Sequence, residues 1–258
     1  MINDNSFNTA ILPKAKYFSR NTNVNLVFLK VSDRADVSPS TISIPGIQLK
    51  MIEEIATSPK PLIVVVQGSR PLILTGIEPL ADAILFAPGT GIATSESIID
   101  LLFGEIVPSG RLSMTFPADA GQVPIYYNWT GTYPSSSMDE IVIDGYTPLY
   151  PFGYGLNYSE VTYDSLRVSP SVTRPGENVT ITINVKNTGN FQATETIQCY
   201  FHDPVASRIQ PYKKLVAYTR TLLEPGENKI ISLTLSPEQL GFFKESNKYH
   251  LEKGKFVS

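Results

Sequence analysis

The sequence predicts two domains of different class: an open, mostly parallel α/β/α sandwich over residues 1–117 and an all-β sandwich over residues 151–258, joined by an irregular aromatic-rich segment, 118–150. Three observations carry this expectation. Short continuous apolar runs recur at residues 25–31 (NLVFLKV), 62–67 (LIVVVQ) and 83–87 (AILFA), as in strands buried on both faces of a parallel sheet. Stretches with helical spacing alternate with these runs. Beyond Pro151 that spacing disappears, and residues 178–186 (NVTITINVK) alternate strictly, with Val179, Ile181, Ile183 and Val185 on one face.

Between the first two runs, residues 47–56 place Ile47, Met51, Ile52 and Ile55 on one helical face, with Pro45 and Gly46 before them and Pro59 after. A second helix is expected over residues 93–103, carrying Ile98, Ile99, Leu101 and Leu102, with Gly104 as its carboxyl-terminal cap. In open parallel sheets ligands bind beyond the carboxyl ends of the strands. Ser32 and Asp33, then Gly68, Ser69 and Arg70, then Pro88 and Gly89 should therefore line a crevice, or else serve only as turns. The connecting segment crowds Tyr126, Tyr127, Trp129, Tyr133, Tyr146 and Tyr150 together. So many rings are costly in a free linker, so the segment is expected to pack across the domain surface, with a sugar-stacking platform as the sharper alternative. The β-domain continues with strands at 196–201, 214–219 and 229–235, divided by turns at 187–190 and 225–228.

Composition narrows the function classes. Hydrophobic residues make up 42% and charged residues 17% of the 258, which suits a packed core. With 21 Lys and Arg against 24 Asp and Glu, no strong field draws in nucleic acid or an acidic membrane surface, and a neutral ligand fits better. The single cysteine, Cys199, excludes an internal disulfide and a thiolate metal cluster, and its place in an alternating strand suggests a buried apolar role. No apolar run approaches the roughly 20 residues that cross a bilayer, and the first seven residues are too polar for a signal peptide. No cofactor and no metal are expected, and localisation stays open.

The run at 101–117 (LLFGEIVPSGRLSMTFP) resembles the second domain of glycoside hydrolase family 3, where Leu-Phe-Gly leads to Asn-Pro-Ser-Gly-Lys-Leu-Pro and Thr-Phe-Pro; Arg111 stands in the lysine position. The segments QVPIYYN (122–128) and PLYPFGYGL (148–156) are similar to two further motifs of that family. In the last domain, VKNTG (185–189), DPVAS (203–207) and LEPGE (223–227) resemble the family's fibronectin type III-like module, an immunoglobulin-like sandwich.

The resemblance implies the carboxyl-terminal part of a β-glucosidase- or β-xylosidase-like enzyme that hydrolyses O-glycosyl bonds in β-linked sugars. It also implies that the attacking aspartate sits on a (β/α)8 barrel outside this chain, supplied by a separate domain or chain. The acid is commonly a glutamate in the loop that corresponds here to residues 31–36, which holds none. Asp33 is the candidate acid in that loop; the blander account makes Asp33 and Arg34 solvated turn residues. After Pro88-Gly89 the family usually has Glu and paired Gly, whereas this chain has Thr90-Gly91-Ile92-Ala93. No substrate-binding residue is assigned. The alternative is a non-catalytic carbohydrate-binding or structural module derived from such an enzyme.

Overall fold

The computed structural model describes residues 11–30, 41–88, 91–130, 147–174, 176–244 and 249–257. It divides the chain into two units, each assembled from three separated stretches. One comprises Met1–Leu102, Met114–Ile125 and Ser135–Phe152; the other comprises Phe103–Ser113, Tyr126–Pro134 and Gly153–Ser258.

In the first unit, β1 (Asn25–Lys30), β2 (Leu62–Gln67) and β3 (Ala83–Ala87) form a parallel sheet in the order β1-β2-β3, with Asn25 opposite Leu62 and Ile63 opposite Ala83. Helices α1 (Ile11–Arg20), α2 (Gly46–Ala56) and α3 (Thr94–Phe103) accompany it, and Ile98 of α3 packs on Val65 and Ala87. Gly104 follows α3 with φ 78°, the left-handed conformation that glycine adopts without Cβ strain.

Two sequence expectations are corrected here. Only β2 is buried along its length; β1 alternates, with Val27 and Leu29 buried while Leu26 and Phe28 stay exposed. The cause is position: β1 is an edge strand, and α3 packs on the two other strands. Nor is every pair of strands joined by an α-helix. Between β2 and β3 the chain makes only a single 3-10 turn, Glu78–Leu80, and instead inserts Leu72, Leu74 and Ile77 into the core. Pro71 and Pro79 deny this connection the backbone donors that a helix needs. Helix α1 was not foreseen.

The second unit contains a three-stranded antiparallel sheet of β4 (Val161–Ser169), β5 (Val179–Asn187) and β8 (Asn228–Leu235), and a pair of β6 (Ala193–Phe201) with β7 (Lys214–Leu223). Short pieces follow: α4 (Pro237–Leu240), β9 (Phe242–Phe243) and β10 (Tyr249–His250). The inward positions of β5 and β6 meet in two clusters, Val185 with Ile197 and Leu223, and Ile181 with Cys199, Phe201, Leu235 and Leu240. Strand β4 escaped the sequence reading because its alternation breaks. The register shifts between Asp164 and Arg167, and Ser165 takes φ 56° there, so one extra residue interrupts the period of two.

Asn187 shows how the turn after β5 is held. It is fully buried; its Nδ2 donates to Phe191 O (2.7 Å) and Leu223 O (3.1 Å), and its Oδ1 accepts from Ser159 Oγ (2.7 Å) and Gly189 N (3.0 Å). Every donor and acceptor site of the amide is used. Asn187→Ala strands several buried groups at once and is expected to lower stability by about 2–4 kcal/mol. Urea denaturation followed by circular dichroism checks this, and a loss below about 0.5 kcal/mol would show the network to be dispensable.

Candidate functional site

The carboxyl ends of the three parallel strands are where an open parallel sheet binds its ligands. Strand β2 ends at Gln67 and runs into buried Gly68, whose N–H donates to Ala87 O at the end of β3 (3.4 Å). A Cβ at position 68 would meet Leu72 Cδ1 at 3.7 Å, ordinary contact, so Gly68 is small rather than indispensable. Exposed Ser69 and partly buried Arg70 follow. The next stretch is held by Ile73 N–H donating to Ile42 O (3.0 Å), within a parallel bridge of Ser43 with Ile73. At the end of β1, Gln48 in the first turn of α2 donates from Nε2 to Lys30 O (3.3 Å), tying the helix start to the strand end. No side chain caps that helix, which begins after Pro45.

Of the residues expected in a crevice, Gly68, Ser69 and Arg70 follow the carboxyl end of β2, and Pro88 follows that of β3. Ser32, Asp33, Arg34 and Gly89 lie outside the described residues, so the candidate acid Asp33 has no geometry here. Gln48 was not foreseen as a crevice residue, because its place in the helix read only as a gap between apolar positions. Among the described residues, its Oε1 and the Nε and Nη2 of Arg70 are buried without a hydrogen-bond partner. No group of three or more His, Cys, Asp or Glu among them could hold a metal ion. No helix among them is long and apolar enough to cross a membrane.

The motif-bearing stretches act as clamps within each unit. In the first unit, Phe116 and Tyr150 form an antiparallel bridge: Phe116 N–H donates to Tyr150 O (2.8 Å), and Leu149 N–H donates to Phe116 O (3.0 Å). In the second, the stretch 108–112 is fastened to the outer side of β6 and to residues 153–155. Leu112 N–H donates to Tyr154 O (2.8 Å), Gly153 N–H donates to Leu112 O (2.7 Å), Thr196 donates to Ser109 O (3.1 Å), and Gln198 donates to Gly153 O (3.1 Å). Arg111 bonds to Gly155 O and forms an ion pair with Glu195, which also accepts from the Tyr163 hydroxyl (2.7 Å). A Cβ on Gly155 would sit 2.5 Å from Gly110 O, so the close approach of the two stretches requires glycine.

Glu195 was missed as a key residue, although period-two alternation places it inward with Ala193, Ile197, Cys199 and Phe201. A charge at an inward position is the signal that would have found it. Burial, then the bond to Glu195, pushes the Tyr163 hydroxyl well above its ordinary value of 10.0. Burial likewise raises the Cys199 thiol, which keeps it protonated and inert. Of the crowded aromatics, Tyr150 packs edge-on against Phe116 (6.4 Å), which in turn packs edge-on against Phe86 (4.9 Å), while Tyr126 stays exposed. Tyr133 and Tyr146 lie outside the described residues.

Residues 8–158 match the glycosyl hydrolase family 3 C-terminal domain, and residues 195–257 match the fibronectin type III-like domain. The chain belongs to glycoside hydrolase family 3. It is 37% identical over 227 residues to the periplasmic β-glucosidase of Salmonella typhimurium, covering 85% of this chain and 30% of that protein. It is 36% identical over 235 residues to a putative β-xylosidase of Formosa agariphila, covering 88% of this chain and 29% of that protein. The solved β-glucosidase of Listeria innocua in complex with isofagomine superposes with a TM-score of 0.86 at 28% identity, over 96% of this chain and 36% of that one. The chain thus spans about a third of the length of these family 3 relatives, in the region that carries their C-terminal and fibronectin-like domains.

Proposed function

We propose that the chain works as the carboxyl-terminal part of a β-glycosidase, which hydrolyses β-linked glucosides or xylosides together with a barrel carrying the nucleophile. The observation that supports this most directly is the 37% identity to a periplasmic β-glucosidase across 85% of the chain. Retaining hydrolysis needs two carboxyl groups about 5–5.5 Å apart, one to attack the anomeric carbon and one to protonate the leaving oxygen. On this reading the barrel supplies the first and the crevice of the α/β unit faces the leaving group, with Asp33 as the acid.

The chain alone is expected to leave aryl β-glucosides intact, and adding a family 3 barrel domain to produce turnover; turnover by the chain alone would sink the reading. In the complemented enzyme Asp33→Asn should then lower kcat by about 100-fold or more on a poor leaving group. An unchanged kcat would remove Asp33 from the chemistry. The absence of glutamate from residues 31–36 favours a second reading, a carbohydrate-binding module without catalysis. That reading predicts cellobiose or xylobiose binding by calorimetry and no turnover even with a barrel present.

A further inference from the structure

Three Asn-x-Ser/Thr triplets stand in the sequence, at Asn128, Asn157 and Asn178, each the acceptor pattern for an N-linked glycan. Chance supplies about as many in a chain of this composition, so their placement and not their number carries the argument. A glycan is bulky and polar, and transfer precedes folding; the folded chain then keeps only those glycans that it can hold in solvent.

All three triplets belong to the β-sandwich unit. Asn128 lies in a turn with Tyr127, and both it and Thr130 are exposed. Tyr212 N–H donates to Trp129 O (2.9 Å) and holds this segment in place. Asn178 is exposed immediately before β5, after a turn that closes on itself: Glu177 N–H donates to Arg174 O (3.0 Å), and Arg174 N–H donates to Glu177 Oε2 (2.9 Å). Asn157 differs. It is half-buried, its Nδ2 donates to Thr194 O (3.3 Å), and its Oδ1 accepts from Ser159 N–H (3.4 Å). The hydroxyl of its triplet, on Ser159, is buried and donates to Asn187 Oδ1 (2.7 Å). A sugar on Asn157 would have to be accommodated where the amide nitrogen already bonds to Thr194 O. Asn128 also has exposed rings on either side, Tyr126 (61%) and Trp129 (36%), and the apolar C–H face of a sugar can remove such ring surface from water.

We infer that Asn128 and Asn178 are acceptor sites for N-linked glycans, that Asn157 stays bare in the folded chain, and that the first sugar on Asn128 covers the Tyr126 ring. In the transfer, Nδ2 of the asparagine bonds to C1 of the first sugar while the bond from C1 to the diphosphate of a lipid-linked oligosaccharide breaks. The lipid diphosphate leaves, and the amide gives one proton to a base of the transferase. None of this rests on the glycosidase reading above.

Expression of the full chain behind a cleavable export leader in a eukaryotic secretory host tests this, because the host supplies both transferase and lipid-linked donor. The secreted chain is expected to carry glycan at Asn128 and Asn178 and none at Asn157. Peptide mass spectrometry reads this after treatment with an amidase that turns each glycosylated Asn into Asp. Asn128→Gln and Thr130→Ala should each abolish the first glycan and leave the fold intact, since both positions are exposed; Thr130→Ala keeps the asparagine and so isolates the acceptor pattern. Asn178→Gln should abolish the second. In the Asn178→Gln chain, amidase treatment should lower the melting temperature by at least about 2 °C, and adding Tyr126→Ala should remove that drop.

A secreted chain bare at Asn128 or Asn178, or one glycosylated at Asn157, overturns the assignment of acceptors. Glycan at Asn157 is expected only in chain that the host retains unfolded. No drop in melting temperature on amidase treatment, or an equal drop with Tyr126→Ala, overturns the contact between sugar and ring.

Discussion

Replacing Arg111 with methionine is expected to destabilise the β-sandwich unit by about 3 kcal/mol, the lower end of the range for breaking a buried pair. Its partner Glu195 has a side chain only 4% exposed and would keep a buried charge, while Arg111 itself is 19% exposed, which tempers the loss. For a unit of this size the melting temperature should fall by about 6–12 °C. The double change Arg111→Met with Glu195→Leu removes both charges and should recover much of that loss, because well-packed apolar replacements of buried pairs are often neutral. A double variant no more stable than Arg111→Met would disprove the stranded-charge account.

Tyr163 adds a pH signature to the same cluster. Its hydroxyl is held protonated in the folded chain, above the ordinary 10.0, by burial and by Glu195. Above pH 10 the unfolded chain loses this proton while the folded chain retains it, so stability is fully present below pH 10 and falls as pH rises further. Tyr163→Phe should flatten that alkaline limb at a cost near about 1 kcal/mol at neutral pH. An alkaline limb of equal slope in the variant would place the proton elsewhere.

The second large effect belongs to Phe116, which is 1% exposed. Phe116→Ala removes a ring packed against Phe86 and Tyr150 and leaves a cavity that the bridged backbone at 116 and 150 resists closing. A loss of about 3–5 kcal/mol follows for the α/β unit, measurable by guanidinium denaturation. A loss under about 1 kcal/mol would mean that the site collapses freely. Neither this clamp nor the Arg111 cluster requires substrate, so both losses should appear in the chain without a barrel. The motifs that most strongly mark the family are thus, in this chain, devices of cohesion.

Some features were legible because they are local. The central strand 62–67 could be read from a single apolar run, the helix at 46–56 from its spacing and flanking prolines, and β5 from strict alternation. Each depends on neighbours a few residues away, where periodicity is visible. The edge position of β1, and with it the exposure of Leu26 and Phe28, was not legible, since an apolar run looks alike in central and edge strands. Strand β4 was lost to its own bulge.

For the candidate site the division is the same. Residue order alone put Gly68, Ser69 and Arg70 at a strand's carboxyl end, and the motifs at 101–117 and 148–156 alone marked the family. Only the tertiary structure decided that Arg111 meets Glu195, 84 positions away, and that Gln48 Oε1 and the Nε and Nη2 of Arg70 are buried without a hydrogen-bond partner among the described residues. The reason is physical: strand ends and turn chemistry are encoded in adjacent residues, whereas the satisfaction of a buried charge depends on which distant segment the fold brings within about 3 Å of it.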